Sequence, residues 1–174
     1  MPRAQSQKRH ILVSRKKKVY MSDTLTTQNN TFEWSDTFDL GYQPMDSTHR
    51  EFVDIVNVLI HCPDEEFLAA MDKFKVHALS HFGQEDQWMT ETEFPAGDCH
   101  IGEHAAVMAS FEEVYALAKN GDTKTGRGFA KELQNWFPGH ADYLDSALAH
   151  WMFKRTHGGK PVVIRRTIKE THLE

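Results

Sequence analysis

The sequence predicts an all-α protein, an antiparallel up-down-up-down four-helix bundle that follows an N-terminal arm. Three observations favour this fold. Four long segments carry apolar residues at three- and four-residue spacing, stretches with proline, glycine or asparagine separate them, and no convincing strand pattern is present. Because the connections are short, consecutive helices are expected to run in opposite directions.

The arm and the first two helices occupy the first half of this region. The stretch "FEWSDTFDLGYQPMD" from Phe32 indicates an ordered arm that its aromatic residues anchor. The first helix is expected over 45–61, Pro63 breaks the chain, and Asp64 is the expected N-cap of a second helix over 65–91. Their apolar positions are Met45, Phe52, Val53, Val56, Leu59 and Ile60, and then Phe67, Met71, Phe74, Ala78, Phe82, Trp88 and Met89.

The third and fourth helices are expected over 98–119 and 126–154. Asn120-Gly121 is a natural C-terminal stop for the third helix. Pro138 lies inside the fourth helix and is expected to kink it, because proline lacks the N–H that an interior position needs. The apolar positions are Val107, Met108, Phe111, Val114, Tyr115 and Ala118, and then Phe129, Leu133, Trp136, Leu144, Ala147, Leu148 and Trp151.

Charge divides the chain of 174 residues into a body and two tails. Residues 1–20 carry seven basic residues and no acid, so 21–174 carry a net charge of −12, since the whole chain has −5. We expect a basic and polar disordered leader over 1–31, the bundle over 32–153 and a basic tail over 154–174. An acidic body argues against nucleic-acid binding by the folded domain.

The leader has two interpretations, a disordered segment upstream of a second start at Met21 or a tether to nucleic acid or an anionic membrane. It lacks the apolar region of a signal peptide, and no run of about 18 apolar residues predicts a membrane span. Cys62 and Cys99 form no CxxC pair. We therefore expect a cytoplasmic protein.

Metal-ligand side chains fall on the apolar faces of all four predicted helices. Two pairs are spaced four residues apart, and such residues share one face of a helix. The inward positions are His49, His81, Glu85, His100, His104 and His140. Burying so many polar groups costs about 1–3 kcal/mol for each one left without a partner, and a bound metal removes that cost.

Imidazoles and carboxylates suit iron, zinc, manganese or copper and disfavour an Fe–S cluster. The inward ligands outnumber the four that one zinc takes, so two bridged ions are the simpler interpretation. A ferritin-like site would need Glu-x-x-His twice, and no Glu in the chain precedes a His by three residues.

Over residues 32–153 the sequence resembles the hemerythrins, and especially their single-domain bacterial members. The resemblance is carried by "FEW", "DSTHREF" followed by Asn57, "HFGQED" followed by Met89, "HIGEH" and "WFPGHADYLD". It implies reversible O2 binding at a non-haem di-iron centre. It also implies the ligands: His100, His104 and His140 for one iron, His49 and His81 for the other, and Glu85 and Asp145 as bridges beside an oxo or hydroxo group.

The resemblance further implies an apolar wall around the O2 position, formed by Phe52, Phe82, Trp136, Phe137 and Ala141. Ala141 stands where the family usually has a bulky aliphatic residue, so we expect it to open the pocket to solvent or to a larger ligand. His77 stands where relatives tend to have tyrosine. It is expected to be a hydrogen-bonded core residue, with a role as a donor to a ligand or as an extra ligand as the alternatives.

The five remaining histidines match no ligand row and are expected to be solvated; they are His10, His61, His150, His157 and His172. The preferred function is O2 carriage, storage or delivery without catalysis. Three alternatives remain open: an oxidoreductase acting on peroxide or nitric oxide, a sensor that needs a partner protein, and simple metal storage.

Overall fold

In the computed structural model, residues 31–159 are described. An arm contains a 3-10 turn, Asp36–Phe38, and precedes four long helical segments. These are α1 (Gln43–His61), α2 (Asp64–Glu91), α3 (Gly97–Lys119) and α4 (Thr123–His140). A π-helical turn, Ala141–Asp145, continues α4 directly into α5, Ser146–His157.

The helices form the predicted bundle. Each of α1, α2 and α3 packs against the helix that follows it, and α4 returns to pack against α1. Asn120 is the C-cap of α3, and Gly121 adopts φ +92°, a conformation that favours glycine. The second helix begins one residue earlier than predicted, since Pro63 occupies the cap position and Asp64 is its first helical residue.

Arg127 ties the end of α1 to the start of α4. Its guanidinium donates hydrogen bonds to the carbonyl oxygens of Leu59, Ile60 and Cys62 at 3.2, 3.1 and 2.6 Å. These carbonyls lie at the C-terminus of a helix, where the backbone offers no intrahelical donor. One side chain on α4 therefore caps α1.

Two polar side chains of α1 fasten the arm to the bundle. Asp46 Oδ1 accepts a hydrogen bond from the Leu40 N–H at 2.7 Å. Asn57 accepts from the Phe32 N–H at 2.8 Å and donates to the Phe32 carbonyl. The predicted arm is thereby held at two points. Leu40 is six residues from Asp46 in sequence, and Phe32 is twenty-five residues from Asn57.

The candidate ligands separate two apolar clusters. On three of the four long segments an inward polar residue lies between a member of one cluster and a member of the other. The three series are Met45–His49–Phe52 on α1, Met89–Glu85–Phe82 on α2, and Leu148–Asp145–Ala141 on the fourth segment, which here includes the π-helical turn and α5. The bundle therefore has a polar layer enclosed between two apolar ones.

The fourth segment runs to His157, four residues past the expected end of the bundle, and Gly158 closes it at φ +71°. The leader over 1–30 and the tail beyond Gly159 lie outside the described residues. None of the described helices combines the length and the apolar character needed to cross a membrane.

Gly126 is a position where the core tolerates no side chain. A Cβ there would lie 2.4 and 2.5 Å from two carbons of the buried Phe67 ring. We expect Gly126→Ala to destabilise the protein, because overpacking costs about 1–3 kcal/mol and exceeds the roughly 0.5–1 kcal/mol gained by replacing a helical glycine. Urea unfolding measures this change.

Gly128, two residues further along the same helix, is the matched control. A Cβ there meets no atom within 4 Å. Gly128→Ala is expected to raise the free energy of unfolding by about 0.5–1 kcal/mol. Equal stabilities of the two variants would contradict this account of the α2–α4 packing.

Candidate metal centre

Three buried imidazoles meet between α3 and the end of α4. The Nε2 atom of His140 lies 3.1 Å from Nε2 of His100 and 3.2 Å from Nε2 of His104. Two ligand atoms bonded to one ion at about 2.1 Å lie roughly 3.0–3.4 Å apart, for right-angled to tetrahedral geometry. The three nitrogens are therefore spaced like ligands of one ion.

A second group lies on α1 and α2. His81 Nε2 is 3.1 Å from Glu85 Oε1, and His49 Nε2 is 3.8 Å from the same oxygen. Each of these side chains is buried and offers a ligand atom within 4.8 Å of the others. This group has two imidazoles, one fewer than the group on α3 and α4.

Glu85 faces both groups with different oxygens. Its Oε1 is the atom near His81 and His49, whereas its Oε2 lies 3.6 Å from His100 Nε2 and 3.4 Å from His104 Nε2. A carboxylate placed in this way can give one oxygen to each of two adjacent ions.

Asp145, the last residue of the π-helical turn, has the same arrangement. Its Oδ2 lies 3.2 Å from His49 Nε2, and its Oδ1 lies 3.1 Å from His100 Nε2 and 3.3 Å from His140 Nε2. Both buried carboxylates therefore span the two imidazole groups.

The π-helical turn explains how Asp145 and His140 come together. Residues five apart in a regular helix differ by about 140° in direction. In this turn the N–H of Ser146 bonds to the carbonyl of Ala141, five residues back, and this wider winding brings residues five apart close to alignment. The predicted distortion is present as this turn, which begins at Ala141, while α4 continues through Pro138. The kink at Pro138 itself stays a prediction.

Buried polar atoms without partners test whether the site fits a metal. Several ligand-type atoms are inaccessible to water and have no hydrogen bond of acceptable geometry among the described residues; they are Nε2 of His49, Oε2 of Glu85 and both carboxylate oxygens of Asp145. Each orphaned group costs about 1–3 kcal/mol. Coordination would satisfy all of these lone pairs at once, so the residues fit a metal centre.

The charges of the group depend on one another. Burial alone would lower the pKa of His49, but the nearby carboxylates of Asp145 and Glu85 outweigh burial and raise it to about 10. Burial alone would raise the pKa of Glu85, but the neighbouring His81 and His49 hold it at about 2. Both bridging candidates favour the ionised form in which a carboxylate binds metal, since the pKa of Asp145 is also lowered, against its burial, by the surrounding histidines.

Two carboxylates beside the site were missed by the sequence analysis. Asp86 Oδ1 lies 2.8 Å from Nδ1 of His104, and Glu103 Oε2 lies 3.1 Å from Nδ1 of His140. Histidines that bind metals commonly donate their second N–H to such a carboxylate. The sequence held a signal, because each acid is the immediate neighbour of a candidate ligand.

Aromatic residues that were expected in the apolar wall pack against candidate ligands. Phe137 packs edge-on to His49 at 5.2 Å and stacks on Phe52 at 4.8 Å. Phe82 stacks on His104 at 4.1 Å, and Trp136 packs on His140 at the same distance. The structure thus places four of the five wall residues against candidate ligands or against each other.

The side chain of Ala141 is not exposed to solvent, contrary to one half of the expectation, and room for a larger ligand stays a prediction. Ala141 is only 1% exposed and belongs to the apolar cluster that contains Phe38 and Phe137. The 3-10 turn of the arm packs against the π-helical turn, and Phe38 contacts Phe137 at 5.1 Å between ring centres. The arm therefore packs on the turn that contains Ala141.

His77 is buried as expected, but it lacks the expected hydrogen bond. Its Nδ1 is 3.6 Å from Glu51 Oε2, and its Nε2 has no partner among the described residues. Burial, together with the charges of the nearby His81 and His49, lowers the pKa of His77 to about 4. His61, His150 and His157 are exposed as predicted, whereas His10 and His172 lie outside the described residues.

Comparison with known proteins adds an independent observation. The family model described as "Hemerythrin HHE cation binding domain" matches residues 40–151. A bacteriohemerythrin of Ralstonia nicotianae is 34% identical over 123 residues, which cover 71% of this chain and 90% of the relative. A bacteriohemerythrin of Aquifex aeolicus is 30% identical over 111 residues, covering 60% of this chain and 85% of that relative. No solved structure gave a significant match.

Proposed function

The chain belongs to the hemerythrin family, and we propose that it binds O2 reversibly at a centre of two non-haem iron ions, for oxygen transport, storage or delivery. The observation that carries the proposal is that two buried carboxylates, Glu85 and Asp145, each face two groups of imidazoles with different oxygens. In this proposal His100, His104 and His140 hold one iron and His49 and His81 hold the other.

A pair of ferrous ions joined by an oxo or hydroxo group would supply the electrons and the open coordination position that reversible O2 binding needs. The chain's own contribution is the unequal donor set. Three imidazoles fill one end, whereas two leave a vacancy at the other, and small ligands bind where a position is open. We therefore place O2 at the end held by His49 and His81.

The aromatic wall would protect that end. Phe52 and Phe137 are almost fully buried, stack on each other, and lie against His49 or His81. Such a wall excludes water and protons, and it thereby favours release of O2 over oxidation of the irons. This role supports a carrier rather than an enzyme, and it supports O2 as the ligand.

An anaerobic titration tests the proposal. The reduced, iron-loaded protein is exposed to O2, which is then withdrawn, while near-ultraviolet and visible absorption is recorded over repeated cycles. We expect bands that appear with O2 and disappear without it. An optical change that never reverses would reject O2 carriage, and rapid turnover of peroxide in stopped flow would favour the oxidoreductase alternative.

Phe137→Ala is expected to shorten the lifetime of the oxygenated protein. The substitution removes the ring that packs on His49 and admits water to the site. We expect autoxidation to accelerate about tenfold, equivalent to roughly 1.4 kcal/mol on the barrier. Autoxidation is followed as decay of the oxygenated spectrum.

Phe111→Ala is the matched control, because it shows whether faster autoxidation comes from water entry at the site or from a general loss of stability. Phe111 is equally buried but packs on Phe74, Phe129 and Tyr115, away from the candidate ligands. Both variants lose a core ring, which costs about 3–5 kcal/mol. If both autoxidise at the same rate, the protective role of Phe137 is wrong.

The location and the partners of the protein stay proposals. We place it in the cytoplasm, which the two free cysteines, Cys62 and Cys99, support. The acidic body argues against nucleic acid as a partner of the folded domain.

A further inference from the structure

The Nδ1 atoms of the candidate ligands, called the outer nitrogens below, differ in their hydrogen-bond partners. Nδ1 of His104 bonds to Asp86 at 2.8 Å, and Nδ1 of His140 bonds to Glu103 at 3.1 Å. Both imidazoles belong to the group of three. An imidazole that donates from Nδ1 presents the lone pair of Nε2, and it is the Nε2 atoms that converge in this group.

The group of two has no such carboxylates. Nδ1 of His49 and Nδ1 of His81 are buried and have no hydrogen-bond partner within residues 31–159. Nδ1 of His100 is also without a partner there. Two negative charges are therefore applied to one end of the centre, and none is applied to the outer nitrogens of the other end.

Packing fixes the orientation of both charged pairs. Trp136 donates from Nε1 to the same Glu103 oxygen at 3.2 Å and lies on the His140 ring at 4.1 Å. Phe82 stacks on His104 at 4.1 Å with an angle of 10° between the planes. Neither imidazole can rotate away from its carboxylate without displacing an aromatic ring.

A carboxylate that accepts the outer N–H makes an imidazole a more basic ligand. A more basic ligand favours the more highly charged state of the ion that it binds. We propose that Asp86 and Glu103 are positioning residues that lower the reduction potential of the iron held by the three histidines. That iron then has a lower reduction potential than the iron held by His49 and His81. This inference rests on the proposed di-iron function.

Both carboxylates are suited to a clean test. The side chains of Asp86 and Glu103 are 35% and 45% exposed, so the amides Asp86→Asn and Glu103→Gln remove the charge without leaving a buried group unsatisfied. The matched controls are Asp54→Asn and Glu113→Gln, because both residues are exposed helical acids. Their side chains contact none of the candidate ligands.

The measurement is a spectroelectrochemical titration of the iron-loaded proteins without O2. We expect the lower of the two one-electron midpoint potentials to rise in Asp86→Asn and in Glu103→Gln, and to rise further in the double variant. A change of about tenfold in the ratio of ferric to ferrous affinity, at the lower end of what such partners contribute, corresponds to ~59 mV for one electron. The two controls are expected to keep the parent potentials.

A second measurement uses redox-inert ions. Competition between Ga³⁺ and Zn²⁺ for the metal-free protein is expected to shift toward Zn²⁺ in both variants. Removal of a carboxylate charge weakens the preference of the site for a trivalent ion. Parent-like potentials with a parent-like Ga³⁺/Zn²⁺ ratio would overturn the inference, as would a variant that binds neither ion. Failure of the parent protein to take up iron would reject the proposed function itself, and with it this inference.

Discussion

Removal of the metal is expected to lower the thermal midpoint of the protein by about 10 °C. Binding at free metal concentrations near 1,000 times Kd stabilises a folded protein by about 4 kcal/mol, and ~1 kcal/mol shifts the midpoint by 2–4 °C in a domain of this size. The physical reason is the set of buried ligand atoms on His49, Glu85 and Asp145 that have no other partner. Circular dichroism of iron-loaded, chelator-treated and refilled protein measures the effect.

Refilling is the control in this experiment, since it separates loss of metal from damage during chelation. The midpoint should return when ferrous iron is added without O2. A metal-free protein as stable as the loaded one would mean that the polar layer is satisfied without ions, and it would contradict the metal-site interpretation of these orphaned atoms.

The variant Asp145→Asn is expected to lose iron more severely than any other conservative change near the site. Its two oxygens lie 3.1–3.3 Å from three imidazole nitrogens, and the side chain is fully buried. Replacement removes the charge and one of the two bridging groups. We expect affinity for at least one iron to fall by more than about 100-fold, the upper range for partners that act only indirectly.

Asp142→Asn is the matched control, since Asp142 belongs to the same π-helical turn but is exposed. Metal analysis and chelator competition compare the two variants, and far-ultraviolet circular dichroism checks that both are folded. Similar iron content in Asp145→Asn and Asp142→Asn would remove Asp145 from the proposed ligand set.

The bundle could be predicted because its apolar spacing and its breaks act locally. The helices end near the predicted residues, and Gly121 adopts the positive φ that its place after α3 indicated. The roles of Asp46 and Asn57 could not be predicted from spacing. Their partners, the backbone groups of Leu40 and Phe32, are defined only when the arm folds back on α1.

The candidate histidines and Glu85 could be predicted from the faces of helices, since residues four apart project together, whereas Asp145 was implied only by the family resemblance. The π-helical turn could not be predicted, because Pro138 indicated distortion but not that the extra residue lies between Ala141 and Asp145. The turn that contains Ala141 also packs against a distant element, the arm. Contacts of this kind arise from tertiary packing and leave no periodic signal.

The carboxylates Asp86 and Glu103 show a further limit. Each is adjacent in sequence to a candidate ligand, and adjacent helical residues point in different directions. Helix geometry therefore predicts that both acids point away from the neighbouring ligand. It does not predict their partners, because the hydrogen bonds from His104 and His140 come from another helix. Searching the outward neighbours of predicted ligands for acids would have found both.

The number of iron ions per folded chain tests the central claim most directly. Elemental analysis of the protein, reconstituted with ferrous iron without O2 and freed of unbound metal, should give two irons per chain. One iron per chain, or none, would contradict a centre in which Glu85 and Asp145 join two adjacent ions.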